Sequence, residues 1–185
     1  RKYNVIIGYA DTDIEIGTML ENHNVVFHEG QKDYRFGRDY EPIKMLPEAE
    51  RATFKGYMRE DGRAGTRNFI AIMSTVNCSA TVVQAIANHF TEDRLAAYPN
   101  VDGVAAFSHH LGCGMEQTGE AMDLLHRTLA GYITHPNVAS ALVIGLGCER
   151  CQIGGLLGAQ KLTPGPRLRT MVMQDEGGTR ASIVK

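Results

Sequence analysis

From residue 69 onward the chain alternates between two hydrophobic patterns. Four runs, 69–75, 101–107, 140–146 and 168–173, are apolar at nearly every position over the length of a strand. Between them the spacing turns helical. Val82, Val83, Ile86, Ala87 and Phe90 share one face, then Ala121, Leu124, Leu125, Leu129 and Tyr132, then Ile153, Leu156 and Leu157. Strands that are apolar throughout and alternate with helices predict right-handed crossovers and a parallel sheet covered on both faces. The predicted fold class is α/β, a Rossmann-like parallel sheet of four strands with flanking helices.

Upstream the pattern is weaker. Residues 5–10 and 24–27 read as short strands around a turn-like stretch at 11–17, too small a segment to fold alone. Residues 31–67 are polar and mixed in charge, with Pro42, Pro47, Gly56, Gly62 and Gly65, and hold neither period. They predict a linker over 31–55, with one short helix at 47–54 where Pro47 suits the first helical position. No internal repeat or low-complexity tract is present. The chain opens at Arg1 without an initiator Met and runs at once into Val5, Ile6 and Ile7, which reads as a piece of something longer.

Composition narrows the class. Nineteen Lys+Arg stand against 21 Asp+Glu, for a formal net charge of −2, and the signs are mixed along the chain. A nucleic-acid binder usually gathers a basic excess into a patch, so no nucleic-acid partner is expected. Hydrophobic residues make up 43%, which excludes a disordered tail. The longest apolar run, 139–146, falls far short of the roughly 20 residues that span a bilayer, so the expectation is a soluble protein with no membrane partner. Cys78, Cys113, Cys148 and Cys151, in a chain with no export signal, are expected as reduced thiols in the cytoplasm.

In an open parallel sheet, ligands bind beyond the carboxyl ends of the strands. The first predicted strand is followed by Asn77, Cys78 and Ser79, and the second by His109, His110, Gly112, Cys113 and Gly114. After the third come Gly145, Gly147, Cys148 and Glu149, and after the fourth Gln174, Asp175, Gly177, Gly178 and Thr179. Any one of these cysteines alone reads as packing; three at one edge read as chemistry. A thiol near a helix amino terminus has its thiolate favoured, which suits a metal ligand or nucleophile. The single Cys148/Cys151 CxxC is weak evidence for zinc, and Gly145-Leu146-Gly147 lacks the third glycine of a dinucleotide fingerprint because Arg150 stands there. His89, His126 and His135 read as surface or capping residues. His109 and His110, in a glycine-rich loop, suit a divalent metal or a general base. Residues 56–68 carry Arg59, Arg63 and Arg67, either a carboxylate site or a solvated hairpin. That stretch precedes the first strand, so it begins at the amino edge and must fold back to reach the others.

The motifs GYMREDGRAGTRN, VNCSATVV, FSHHLGCGM, HRTLAGYITHPN, GLGCE and QDEGGTR, in this order over about residues 56 to 180, closely resemble the altronate/galactarate dehydratase family, which includes sulfolactate sulfo-lyase. Residues 10–24 resemble the end of the small β-rich SAF-type domain that precedes the catalytic region. The resemblance implies three parts: 1–30 as that remnant, 31–55 as linker, and 56–185 as the first part of a Rossmann-like catalytic region. It implies a lyase that removes water from a small sugar acid to give a 2-keto-3-deoxy acid, using iron(II), with manganese as a substitute. By motif position, His109 is expected as base or metal ligand, Glu149 as a second catalytic group, and Cys113 and Cys148 as further ligands. Asn77 and Thr179 are expected to bond substrate hydroxyls, and Arg63 and Arg67 to hold a carboxylate. His110 and Cys151 have no counterpart in the family motifs. The family continues past Lys185 into a further catalytic region, expected here as a partner together with a second copy in a homo-oligomer, so little activity is expected of these 185 residues alone. The alternatives are a sulfo-lyase acting on sulfolactate and a non-catalytic metal-binding α/β module.

Overall fold

The amino-terminal unit, Arg1–Arg51, has little to fold around. Tyr9–Ala10 (β1) pairs antiparallel with Val25–Val26 (β2), and Lys2 bridges Val5. The strands expected over 5–10 and 24–27 shrink to two residues each, because no apolar surface covers them: Ile16, Met19, Phe27 and Phe36 all stay exposed. Asn24 is the buried exception. Its side chain accepts from Glu21 N at 2.9 Å and donates to Met19 O at 2.9 Å, closing the turn into β2. The helix expected over 47–54 is one 3₁₀ turn, Glu48–Glu50, with no buried side chain to hold more. The computed structural model describes residues 1–28 and 35–185; the start of the expected linker, 31–34, and the end of the expected first segment, 29–30, lie outside the described residues.

The second unit, Ala52–Lys185, opens with a hairpin of Tyr57–Met58 (β3) and Ala64–Gly65 (β4). Four parallel strands follow: Phe69–Ser74 (β5), Gly103–Phe107 (β6), Val138–Gly145 (β7) and Leu168–Val172 (β8), in the spatial order β6-β5-β7-β8. In register, Ile72 lies between Ala106 and Leu142, and Val143 opposite Thr170. The connecting helices are Ala80–His89 (α1), the single turn Glu92–Leu95 (α2), Glu120–Ile133 (α3), Ile153–Ala159 (α4) and Thr179–Val184 (α5). The α/β expectation holds, and the strand ends move by one or two residues.

Alternation along the central strands divides the core. Ile72, Ile144 and Met173 pack against Val82, Val83 and Ala87 of α1, with α5 beside it. Ala71, Met73, Ala141 and Val143 pack on the other face against Met122, Leu125 and Leu129 of α3 and Ile153 and Leu156 of α4. Each of the larger of these side chains, Val, Leu, Ile or Met, contributes about 1.5–3 kcal/mol on burial. The chain steps from β5 outward to β6, then crosses back to β7, and α1 and α3 accordingly lie on opposite faces, as right-handed crossovers require. The strand order therefore reverses between β5 and β7. In sheets of this kind that reversal marks the ligand crevice.

The amino edge is clamped by arginines. Arg59 donates to Pro136 O at 2.7 Å and to Asn68 Oδ1 at 2.7 Å, and Arg63 to Thr134 O at 2.5 Å and Asp61 Oδ2 at 2.7 Å. Thr66 N donates to Asn137 Oδ1 at 2.8 Å, and Arg167 Nε to Ala139 O at 3.0 Å. Gly65 lies so close to the Pro136 carbonyl that a side chain there would collide with it. Among the described residues no helix is long and apolar enough to cross a membrane.

Candidate functional site

The four strand exits are tied into one surface by main-chain hydrogen bonds. Asn77 N donates to Leu111 O at 3.1 Å, joining the exits of β5 and β6. Arg150 N and Cys151 N donate to Gly112 O at 2.8 and 3.1 Å, joining β6 to β7, and Gln174 N donates to Leu146 O at 3.0 Å, joining β7 to β8. Two glycines make these approaches feasible. Gly112 has φ +97° and sits against the Thr75 carbonyl and Val76 Cα, and Gly147 has φ +128° and sits against the Gln174 side chain.

Glu149 fills the crevice at the reversal. It is 4% exposed, and its oxygens accept from Thr75 Oγ1 at 2.9 Å, Leu146 N at 3.1 Å and Gly147 N at 2.5 Å. Ser79 Oγ donates to Ile144 O at 2.9 Å just below, adding a second tie between the exits of β5 and β7. All three contacts to Glu149 are donors, so the carboxylate is engaged as a scaffold. It closes the floor of the crevice, while its neighbours Cys148 and Arg150 are exposed above it.

His109 is half-buried and doubly engaged. Its Nε2 bonds Ser74 O at 3.0 Å and its Nδ1 accepts from Leu111 N at 3.1 Å, which assigns the proton to Nε2. Burial holds its pKa below the ordinary imidazole value; the Ser74 carbonyl opposes that fall and neighbouring His110 adds to it. Neither nitrogen has a free lone pair for a metal. Cys113 and Cys148 are exposed free thiols, and among the described residues no group of three or more His, Cys, Asp or Glu side chains is arranged to hold a metal ion. The expected set of His109, Cys113 and Cys148 therefore does not fit a metal as it stands.

The structure gathers Asn77, His109, Cys113, Cys148 and Thr179 on the exits at the carboxyl edge. Asn77 begins a 3₁₀ turn, Asn77–Ser79, and Thr179 opens α5 after Gly177 and Gly178, both with positive φ. Arg63 and Arg67 are not brought there; they lie at the opposite edge, with Arg63 held by Asp61 and Thr134. Cys151 is buried, and burial followed by Glu149 pushes its thiol up to about 11. Beside the edge, a groove of about 570 Å³ between β6 and α3 is lined by Phe107, Leu124, Leu129 and Tyr132, with His109 at its rim. Its apolar walls do not suit a polyhydroxy acid.

Two features escape the sequence reading. The buried hydroxyls of Thr75 and Ser79 are structural ties, signalled only by polar residues closing an apolar strand. His126, expected at the surface or as a cap, is 7% exposed within α3 and its Nε2 has no hydrogen-bond partner. It lies on the apolar face beside Leu125 and Leu129, where the periodicity alone would have placed it.

Residues 56–185 match the family model described as D-galactarate dehydratase/Altronate hydrolase, second domain. Altronate dehydratase of Escherichia coli (strain K12) is 35% identical over 153 residues, covering 82% of this chain and 30% of the relative. Galactarate dehydratase (L-threo-forming) of the same organism is 36% identical over 157 residues, covering 84% and 30%. The (2R)-sulfolactate sulfo-lyase subunit beta of Chromohalobacter salexigens is 36% identical over 94 residues, covering 51% and 21%. The chain spans about 30% of the length of the two dehydratases.

Proposed function

The chain belongs to the D-galactarate dehydratase/altronate hydrolase family, whose second domain it matches from residue 56 to 185, and from that premise we propose that the full-length protein is a hydro-lyase acting on a sugar acid. The observation that carries this reading is the likeness to both dehydratases over more than four-fifths of the chain. The reaction removes the proton beside the carboxylate and the hydroxyl one carbon further on, leaving a 2-keto-3-deoxy acid.

A proton beside a carboxylate is weakly acidic, so the site must hold the negative charge of the enediolate as it forms. Within this chain, His109 is the proposed base. Burial lowers its pKa and so favours the neutral form, the one that accepts a proton, and Nδ1 is the atom that takes it once the Leu111 N–H gives way. Asn77 and Thr179, at the exits of β5 and β8, are the proposed partners of the substrate hydroxyls. Glu149 acts by position: it pins the loop that presents Cys148 and Arg150. Iron(II), or manganese in its place, is the metal that the family likeness implies, but His109, Cys113 and Cys148 do not form a cage for it. For the same reason a purely metal-binding module is disfavoured. The free thiols suit a reducing compartment, and we place the protein in the cytoplasm.

The likeness to the sulfolactate sulfo-lyase subunit favours one second reading, in which the same proton abstraction expels sulfite instead of water. A panel of altronate, galactarate and sulfolactate, assayed with the full-length protein under reductant with iron(II) or manganese, separates the two. Keto-acid from altronate or galactarate is the expected result. Sulfite from sulfolactate alone would favour the second reading, and no reaction with any of the three would refute both.

A further inference from the structure

The arginines of the second unit differ in what holds them. Arg59, Arg63 and Arg167 are engaged at the amino edge on the main-chain carbonyls of Pro136, Thr134 and Ala139. On the helices, Arg94 lies against His89 and Arg127 reaches Asp123 O. The exits at the carboxyl edge and the first turn of α5 carry two cations besides histidine, Arg150 and Arg180, and both are exposed. Among the described residues no hydrogen bond or ion pair engages either guanidinium, which holds also for Arg67 at the amino edge and Arg169 within β8, but Arg150 and Arg180 alone of these stand at the carboxyl edge, on loops that are firmly held. The Arg150 main chain is fixed by its N–H to Gly112 O at 2.8 Å, and the turn after it by Gln152 Nε2 to Glu149 O at 2.7 Å. Arg180 follows the glycine turn that ends β8, whose exit is tied to that of β7 through Gln174 and Leu146.

Resting on the reading that the ligand is a sugar acid, we propose that Arg150 and Arg180 receive its carboxylate above the crevice between β5 and β7, the task that residue types alone assign to Arg63 and Arg67. Glu149 fills the crevice floor, so a ligand must rest on the exposed rim, where Arg150 stands directly beside it. An arginine fork meets a carboxylate with two parallel hydrogen bonds, and a rigid main chain aims that fork before the ligand arrives. Neighbouring strands lie about 4.8 Å apart, so side chains rising from the adjacent exits of β7 and β8 reach one ligand. Cations at the carboxylate also lower the cost of the charge that spreads into it when the adjacent proton leaves. The carboxylate thus falls beside Cys148 and within the same knot of loops as His109.

Direct binding tests this without relying on turnover. Altronate and galactarate are titrated by calorimetry into the full-length protein, wild type and with Arg150→Gln, Arg150→Lys, Arg180→Gln or Arg127→Gln. The Gln variants at 150 and 180 are expected to weaken binding by about tenfold or more, Lys at 150 to recover part of it, and Arg127→Gln to change nothing. In turnover assays the loss is expected in KM and, because these cations also meet the charge of the enediolate, in kcat. Wild-type affinity in both Arg150→Gln and Arg180→Gln overturns the proposal, as does a wild-type protein that binds neither acid. Binding by wild type without turnover would defeat the dehydratase reading alone, and the variants would still decide the arginines.

Discussion

Removing the Glu149 carboxylate should cost more than any other single change at the carboxyl edge. Glu149→Ala strips the acceptor from three donors at once: Thr75 Oγ1, Leu146 N and Gly147 N. A buried donor left unsatisfied costs about 1–3 kcal/mol. Thr75 is 0% exposed and bears the full cost, whereas the half-buried Leu146 and Gly147 amides recover part of theirs from water. The expected sum is about 3–5 kcal/mol, a large share of the 5–15 kcal/mol that typically holds a domain folded. Glu149→Gln keeps one oxygen for Thr75 and Leu146 but turns an amide NH₂ toward the Gly147 N–H, for about 1–2 kcal/mol. Urea unfolding followed by circular dichroism ranks the three proteins, and hydrogen exchange at Leu146 and Gly147 reports on the loop itself. An alanine variant within about 1 kcal/mol of wild type, with both amides still slow to exchange, would refute the scaffold role.

Other consequences can be read with simple assays. Gly112→Ala sets a Cβ against the Thr75 carbonyl at φ +97° and should lower stability by about 2–4 kcal/mol; Gly147→Ala meets only the movable Gln174 side chain and should lose about 1–2 kcal/mol, so thermal denaturation that reverses this order contradicts the loop packing. Burial depresses the pKa values of His126 and His109 below 6.5, so the unfolded chain binds more protons on the acid side; stability is full above about pH 6.5 and falls as pH drops through the lower folded values. His126→Leu removes the unpartnered Nε2, and should raise stability by about 1 kcal/mol and flatten that acid-side loss in melts compared at neutral and mildly acid pH. Cys78, Cys113 and Cys148 should react with a disulfide reagent at about pH 8, while Cys151, buried and with its thiol near 11, should react only after denaturation.

The parallel sheet was legible because its strands are apolar on both faces and its helices carry one apolar stripe each; both signals are local. The gathering of Asn77, His109, Cys113, Cys148 and Thr179 followed from topology alone, since strand exits share an edge. What stayed hidden depends on partners distant in sequence. Glu149 looks like a catalytic carboxylate until Thr75, 74 positions earlier, is found donating to it. Arg63 looks like a carboxylate clamp until Thr134 is found accepting its proton, 71 positions away. Before residue 56 the weak pattern goes with short elements whose described residues bury almost nothing.

The hairpin clamp has a consequence for synthesis. Arg59 is held by the carbonyl of Pro136, 77 residues later. At translation rates of about 5–20 residues per second, those residues take roughly 4 to 15 s to appear. For that interval the hairpin arginines lack their acceptors on Thr134 and Pro136, and β5 lacks its neighbour β7. A nascent chain paused in this window would present one edge of a central strand to solvent and chaperones, so slow codons between positions 68 and 137 would raise aggregation, while the same codons after 172, once β8 has covered β7, would not.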